Sequence, residues 1–157
     1  MQQVKISECL EKGCVFPRLI STTKPEVLLE LSEKLAEAIT RLNAQKLNET
    51  LFEREEICST AIDSGVAIPH IKLLDVPDVI MAFARSEAGV DFDSLDGQKT
   101  HLITLVIIPE TRSTETLLTL LARISRILAR DNVRAKLETS QEASDIYNLL
   151  IEEDEKL

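Results

Sequence analysis

With 157 residues, 44% of them apolar, the chain has material for one compact domain with a buried core and too little length for a second. Eighteen Lys and Arg against 27 Asp and Glu give a net charge of -9 with no basic cluster to offset it, which excludes nucleic acid as a partner. Apolar runs such as 102–108 fall far short of the ~20 residues that cross a bilayer, and Cys9, Cys14 and Cys58, an odd set without a CxxC pair or a secretory signal, read as reduced cytosolic thiols.

Thr23 and Glu26 have capping-box spacing, and Leu28, Leu31, Leu35, Ile39 and Leu42 then share one helical face, which predicts a helix over 24–45. Asn48 is the expected N-cap of a shorter helix over 49–57 that presents Arg54 near its C-terminal end. The period then changes. Residues 79–85 read as a strand, and 101–108 as a more continuously apolar one, central in its sheet because both faces are greasy. Gly89 and Asp96-Gly97 mark turns between them. Ser113 caps the clearest amphipathic segment, where Leu117, Leu120, Leu121, Ile124, Ile127 and Leu128 recur at helical spacing. A short helix over 133–137 and a last one over 141–151, led in by Thr139 and Glu142, leave 152–155 as a frayed tail. Interleaved strands and helices predict an α/β layered domain spanning 1–157.

Within 54–70, one of only two histidines, His70, ends an apolar, glycine-punctuated run with Arg54 upstream. A neutral imidazole serves as nucleophile or proton carrier near pH 7, so His70 is the candidate for chemistry. Pro69 favours an extended, edge-like segment, and Gly65 lets the backbone turn before Val66-Ala67-Ile68 fixes it. From spacing alone, a histidine after proline and an arginine on a helix read first as structural groups. Arg54 nevertheless finds no carboxylate among Thr50, Leu51, Ile57 and Cys58, its helical neighbours. His101, at the start of the central strand, reads as a hydrogen-bonded structural residue. A buried, inert thiol is the expectation for Cys58. The cysteines and histidines lack zinc spacing, so neither a metal nor a cofactor is expected.

Arg54-Glu55, Ser59-Thr60 and Gly65-Val66-Ala67-Ile68-Pro69-His70 together resemble the active-site signature of the enzyme IIA proteins of the bacterial phosphoenolpyruvate-dependent phosphotransferase system, in the fructose, mannitol and nitrogen-regulatory branch. The resemblance extends to Gly89-Val90-Asp91-Phe92-Asp93-Ser94-Leu95-Asp96-Gly97, to the strand ending at Pro109, and to Leu118-Thr119-Leu120-Leu121-Ala122. It implies a mixed sheet of about five strands flanked by helices on both faces. It also implies that His70 accepts a phosphoryl group from a histidine-containing phosphocarrier protein, for transfer to a transporter component or use as a signal to a regulatory target protein. Arg54 would then grip phosphoryl oxygens, and the Ser59 and Thr60 hydroxyls would reach phosphate or a ring nitrogen around a partly exposed imidazole. Two positions depart from the family pattern. Leu117 stands where a second active-site histidine is common, with the Thr116 hydroxyl beside it on the rim of the same site, and Ile71 adds bulk where a small residue usually follows the motif histidine.

A free-standing chain without transporter segments fits the nitrogen-regulatory, signalling type and a cytoplasmic protein with no membrane insertion. A sugar component of fructose or mannitol type is one alternative. A non-catalytic protein-binding module, kept open by Leu117 and Ile71, is another. An output domain cut from a larger regulator is a third, against which the initial methionine counts.

Overall fold

The apolar run of 101–108 becomes the centre of the sheet, because only a strand covered on both faces can bury so many adjacent apolar side chains. A computed structural model describes residues 4–157. In it β6 (Thr100–Pro109) pairs antiparallel with β5 (Ile80–Val90) on one side and parallel with β3 (Val66–Ala67) and β4 (His70–Leu73) on the other. Beyond β5 lies β1 (Leu10–Phe16), parallel to it, and beyond β3 lies the two-residue β2 (Ala61–Ile62), antiparallel. The α/β layered fold is therefore a mixed sheet of six strands, with α1 (Ile6–Cys9), α2 (Lys24–Ala38), α3 (Ala44–Ile57), α4 (Thr114–Leu128), α5 (Asp131–Thr139) and α6 (Ala143–Glu155) packed around it.

Side-chain alternation along β4 sorts the helices into two layers. Ile71 and Leu73 point to one face and are buried; Leu73 shares a small cavity with Leu47 of α3. His70 and Lys72 point to the other face and are half-buried. There the Lys72 ammonium donates to the Thr114 hydroxyl at 3.3 Å, so α4 begins on the histidine face. Arg85 of β5, in register with Leu102, donates through Nε to the Glu138 carbonyl of α5 at 2.7 Å and so places α5 in the same layer. The buried apolar side chains form one continuous cluster.

Thr23 caps α2 and Ser113 caps α4 as expected. The expected helix over 24–45 instead stops at Ala38. Ile39 is extended, and Ile39 and Leu42 pack against the core from a turn, which imitates helical spacing. The cap of α3 is Asn43, whose side chain accepts the Lys46 N–H at 2.9 Å, so Asn48 lies within the helix rather than before it. Gly89 sits inside an irregularity of β5 and not in a turn between strands. Its φ is +84°, and an added Cβ would meet the His101 ring at 2.9 Å. Thr139 bonds back to carbonyls of α5 and Glu142 makes no side-chain cap, so the expected lead-in to α6 is absent. Nor is the tail frayed: α6 runs to Glu155, with Glu153 and Asp154 buried against Arg130 and Arg123.

Candidate active site

The site is built from the last turn of α3 and the chain that follows it into β4. Ser64 and Gly65 both take positive φ, +67° and +76°, to turn β2 back into β3. The Gly65 carbonyl then accepts N–H bonds from His101 (2.9 Å) and Leu102 (3.1 Å), and a Cβ there would press on the Lys99 carbonyl at 3.2 Å. Only glycine combines this turn with this approach. Pro69 continues the extended path, its carbonyl accepting the Val106 N–H at 2.9 Å. Its missing N–H interrupts the ladder to β6, which is why β3 and β4 are separate strands on one line.

His70 opens β4, half-buried, with Nδ1 2.8 Å from the Ile68 carbonyl. A carbonyl only accepts, so the neutral ring carries its proton on Nδ1. The lone pair is thereby left on Nε2, the nitrogen that can attack an electrophile. The Ile71 side chain points to the opposite face of the strand and is buried there, so its bulk does not stand beside the imidazole as expected from chain adjacency.

Arg54, half-buried in the last turn of α3, turns its guanidinium onto its own helix end and donates to the Cys58 carbonyl at 2.9 Å. This accounts for an arginine without a carboxylate neighbour: it satisfies a C-terminal carbonyl. Cys58 is exposed, contrary to the expectation of a buried thiol, with its sulfur 3.7 Å from the same guanidinium nitrogen. The Ser59 hydroxyl donates to the Phe92 carbonyl and accepts the Ala61 N–H at 3.1 Å. Thr60 is buried, its hydroxyl donating to Glu55 and its N–H to the other oxygen of that carboxylate at 3.2 Å. Both hydroxyls thus hold the loop between α3 and β3. In the first turn of α4, the Thr116 N–H is capped by the Ser113 hydroxyl at 3.3 Å and Leu117 is buried. His101 is a bonded strand residue, Nδ1 to the Ser86 carbonyl at 2.9 Å.

The motif reading gives no role to two residues of this neighbourhood. Lys72 is a cation on the same strand face as His70, and only the i, i+2 rule could have pointed to it. Glu55 lies on the buried face of α3 with Leu47 and Leu51, where a carboxylate needs a partner. That partner is Lys24, 2.7 Å away.

Residues 8–153 match the family described as phosphoenolpyruvate-dependent sugar phosphotransferase system, EIIA 2. The chain is 37% identical over 145 residues to a nitrogen regulatory protein of Bradyrhizobium diazoefficiens, an alignment that covers 92% of this chain and 94% of that one. It is 34% identical over 151 residues to the fructose-specific EIIABC component of Bacillus subtilis, covering 96% of this chain but 24% of that protein. The crystal structure of the nitrogen regulatory protein IIA-Ntr from Neisseria meningitidis superposes with a TM-score of 0.84 at 29% identity, over 92% of this chain and 98% of that one. With a half-buried imidazole at the motif position and the match running nearly end to end, the chain belongs to the EIIA type-2 family of the phosphoenolpyruvate-dependent phosphotransferase system.

Proposed function

We propose that this chain is a single EIIA-type domain whose His70 accepts a phosphoryl group at Nε2 from a histidine-containing phosphocarrier protein. One observation carries the reading: the Nδ1–H bond to the Ile68 carbonyl leaves the Nε2 lone pair free on a half-buried ring. In the step itself the N–P bond of the carrier's phosphohistidine breaks as the bond to Nε2 forms. The ring keeps its Nδ1 proton, and the bond to Ile68 strengthens as positive charge develops there. Little covalent chemistry remains for the protein, so the surrounding groups act by position and charge. Arg54 serves by leaving the Cys58 carbonyl for the phosphoryl oxygens. Lys72 adds a cation from the same strand face, and the first turn of α4, with Thr116, adds outward N–H and hydroxyl groups. Ser59 and Thr60 contribute chiefly by holding the loop.

The nitrogen-regulatory type is favoured over the sugar type by likeness, 37% identity to the nitrogen regulatory relative against 34% to the fructose transporter relative, together with the TM-score of 0.84 to the IIA-Ntr crystal structure. In that type the phosphorylation state acts as a signal to a regulatory target protein in the cytoplasm; in the sugar type a transporter component receives the group. A non-catalytic docking module is the second reading, favoured by the buried Leu117 at the second-histidine position. Incubation with phosphorylated carrier and mapping of the labelled residue separates them. The wild-type chain and His101→Ala are expected to label, and His70→Ala is expected not to. Labelling of His70→Ala overturns the nucleophile, and a wild-type chain that binds carrier without accepting phosphate establishes the docking module.

A further inference from the structure

The geometry points to Glu55 as a positioning residue for His70, acting with Lys24 through Thr60 and Ile68. The links are continuous. Lys24, at the first position of α2, sets its ammonium 2.7 Å from Glu55, and both side chains are largely withdrawn from water, with 13% and 4% of their surface exposed. The same ammonium lies 4.8 Å from the centre of the Phe92 ring and 3.3 Å from Asp93. Glu55 then holds Thr60 at two points, the backbone N–H and the hydroxyl. The Thr60 carbonyl in turn accepts the Ile68 N–H at 3.0 Å, and the Ile68 carbonyl accepts Nδ1–H of His70 at 2.8 Å. Two helix ends are thereby tied to the bond that selects the tautomer of the nucleophile.

A buried carboxylate this close to a lysine is a poor source of net stability, because desolvation offsets most of the attraction. Its use here is geometric. Thr60 is the last support on the outer side of the strand before His70, since β4 pairs with β6 alone and the antiparallel β2 begins at Ala61, opposite Ala67. If Thr60 is released, Ile68 is free to rotate, and a carbonyl displaced by a fraction of an ångström no longer holds Nδ1–H. The N–H and the carbonyl of Ile68 belong to successive peptide units, so the linkage is mechanical and sets where the ring sits.

The inference rests on His70 as the acceptor, but its first readout does not require transfer. The chain has only two histidines, so ¹⁵N labelling of histidine in the full-length protein gives two sets of ring signals, and a His101→Gln variant assigns them. In the wild-type chain above the ring's titration, His70 is expected almost wholly as the Nδ1–H tautomer. Thr60→Val, which keeps shape and N–H but deletes the hydroxyl, is expected to give a mixed tautomer and transfer slowed roughly ten- to a hundredfold, the scale of a small misplacement of reacting groups. Thr60→Ser is expected to restore both. Glu55→Gln should act in the same direction as Thr60→Val; if it does not fold, the Thr60 pair decides alone. An unchanged tautomer in folded Thr60→Val overturns the proposal, whether or not the rate falls. A wild-type chain that never accepts phosphate removes the proposed function and leaves the tautomer test intact.

Discussion

In the proposed reaction a phosphoryl group on His70 would bring about −1.5 to −2 charges onto a half-buried ring, and the side chains facing it would have to answer that charge. Lys72 shares the strand face of His70 and α4 begins on that face; the second imidazole that the resemblance leads one to expect is replaced by Leu117, which is buried. Leucine neither donates to phosphate nor carries a proton. A residue in the first turn of a helix points back toward the helix start, and α4 begins on the histidine face of the sheet. Leu117→His is therefore expected to raise the rate of transfer through His70 severalfold. It should also lower stability by about 2 kcal/mol, for the lost burial of a leucine side chain. Single-turnover transfer from one carrier preparation, with thermal unfolding alongside, measures both. Equal rates show that the leucine is no handicap and that Lys72 and Arg54 suffice.

At the scale of elements, one carboxylate ties two successive N–H groups of the segment between β1 and α2. Glu30 of α2 accepts the Ile20 N–H at 3.1 Å, the Ser21 N–H at 2.9 Å and the Lys34 ammonium at 2.9 Å. Burial works to raise its pKa, but the bonds from Lys34, Ser21 and Ile20 outweigh it and bring the carboxyl from 4.5 to about 2. A folded value below the unfolded one means the contribution is complete above pH 4.5 and disappears as pH falls toward 2. Urea unfolding is expected to show the wild-type chain more stable than Glu30→Gln at pH 6, with the gap closing across that window; a gap independent of pH removes Glu30 as its cause. Such a bond to a preceding loop leaves no trace in helical periodicity, and the same limit explains what was legible in the chain. Caps with local partners, Thr23 and Ser113, were readable, as were the apolar central strand and the leucine face of α4. The motif marked His70 and Arg54. The short strands around His70 were not readable, because two- and four-residue strands hold through pairing with β6 and carry no periodicity of their own. Asn43 displaced Asn48 because tertiary packing of Ile39 and Leu42 outside a helix mimicked a helical face. Glu55, quoted with Arg54 in the signature, carried no legible role because its partner lies 31 positions away in another helix.

Across the whole molecule, the two chain ends and the site helix are joined by one buried charge cluster. Asp154 of α6 accepts from Arg123 of α4 at 2.8 Å and from the backbone N–H of Ile6 at 2.8 Å, while Arg123 also donates to the Asp154 carbonyl at 3.1 Å. Beside it Glu153 takes Arg130 at 3.0 Å and Lys156 at 3.1 Å. These acids look like a solvated tail in sequence, yet they fasten α6 and α1 to α4, the helix that begins on the histidine face of the sheet. Asp154→Asn keeps the shape, removes the negative charge opposite a buried guanidinium, and is expected to cost about 3–5 kcal/mol, a fall in Tm on the order of 10 °C for a chain of this size. The Arg123→Met, Asp154→Leu double variant removes both charges together and is expected to recover most of that loss, less the acceptor that Ile6 forfeits. Near-wild-type stability of Asp154→Asn shows that water reaches the pair and that α6 is held by its apolar face, Ile146 and Leu150, alone. A large loss without recovery assigns the stability to the bonds that Asp154 makes to the backbone. Transfer through His70, measured well below each variant's melting temperature, is expected to be unchanged in both, because the cluster secures the body of α4 while the proposed phosphoryl site involves only its first turn.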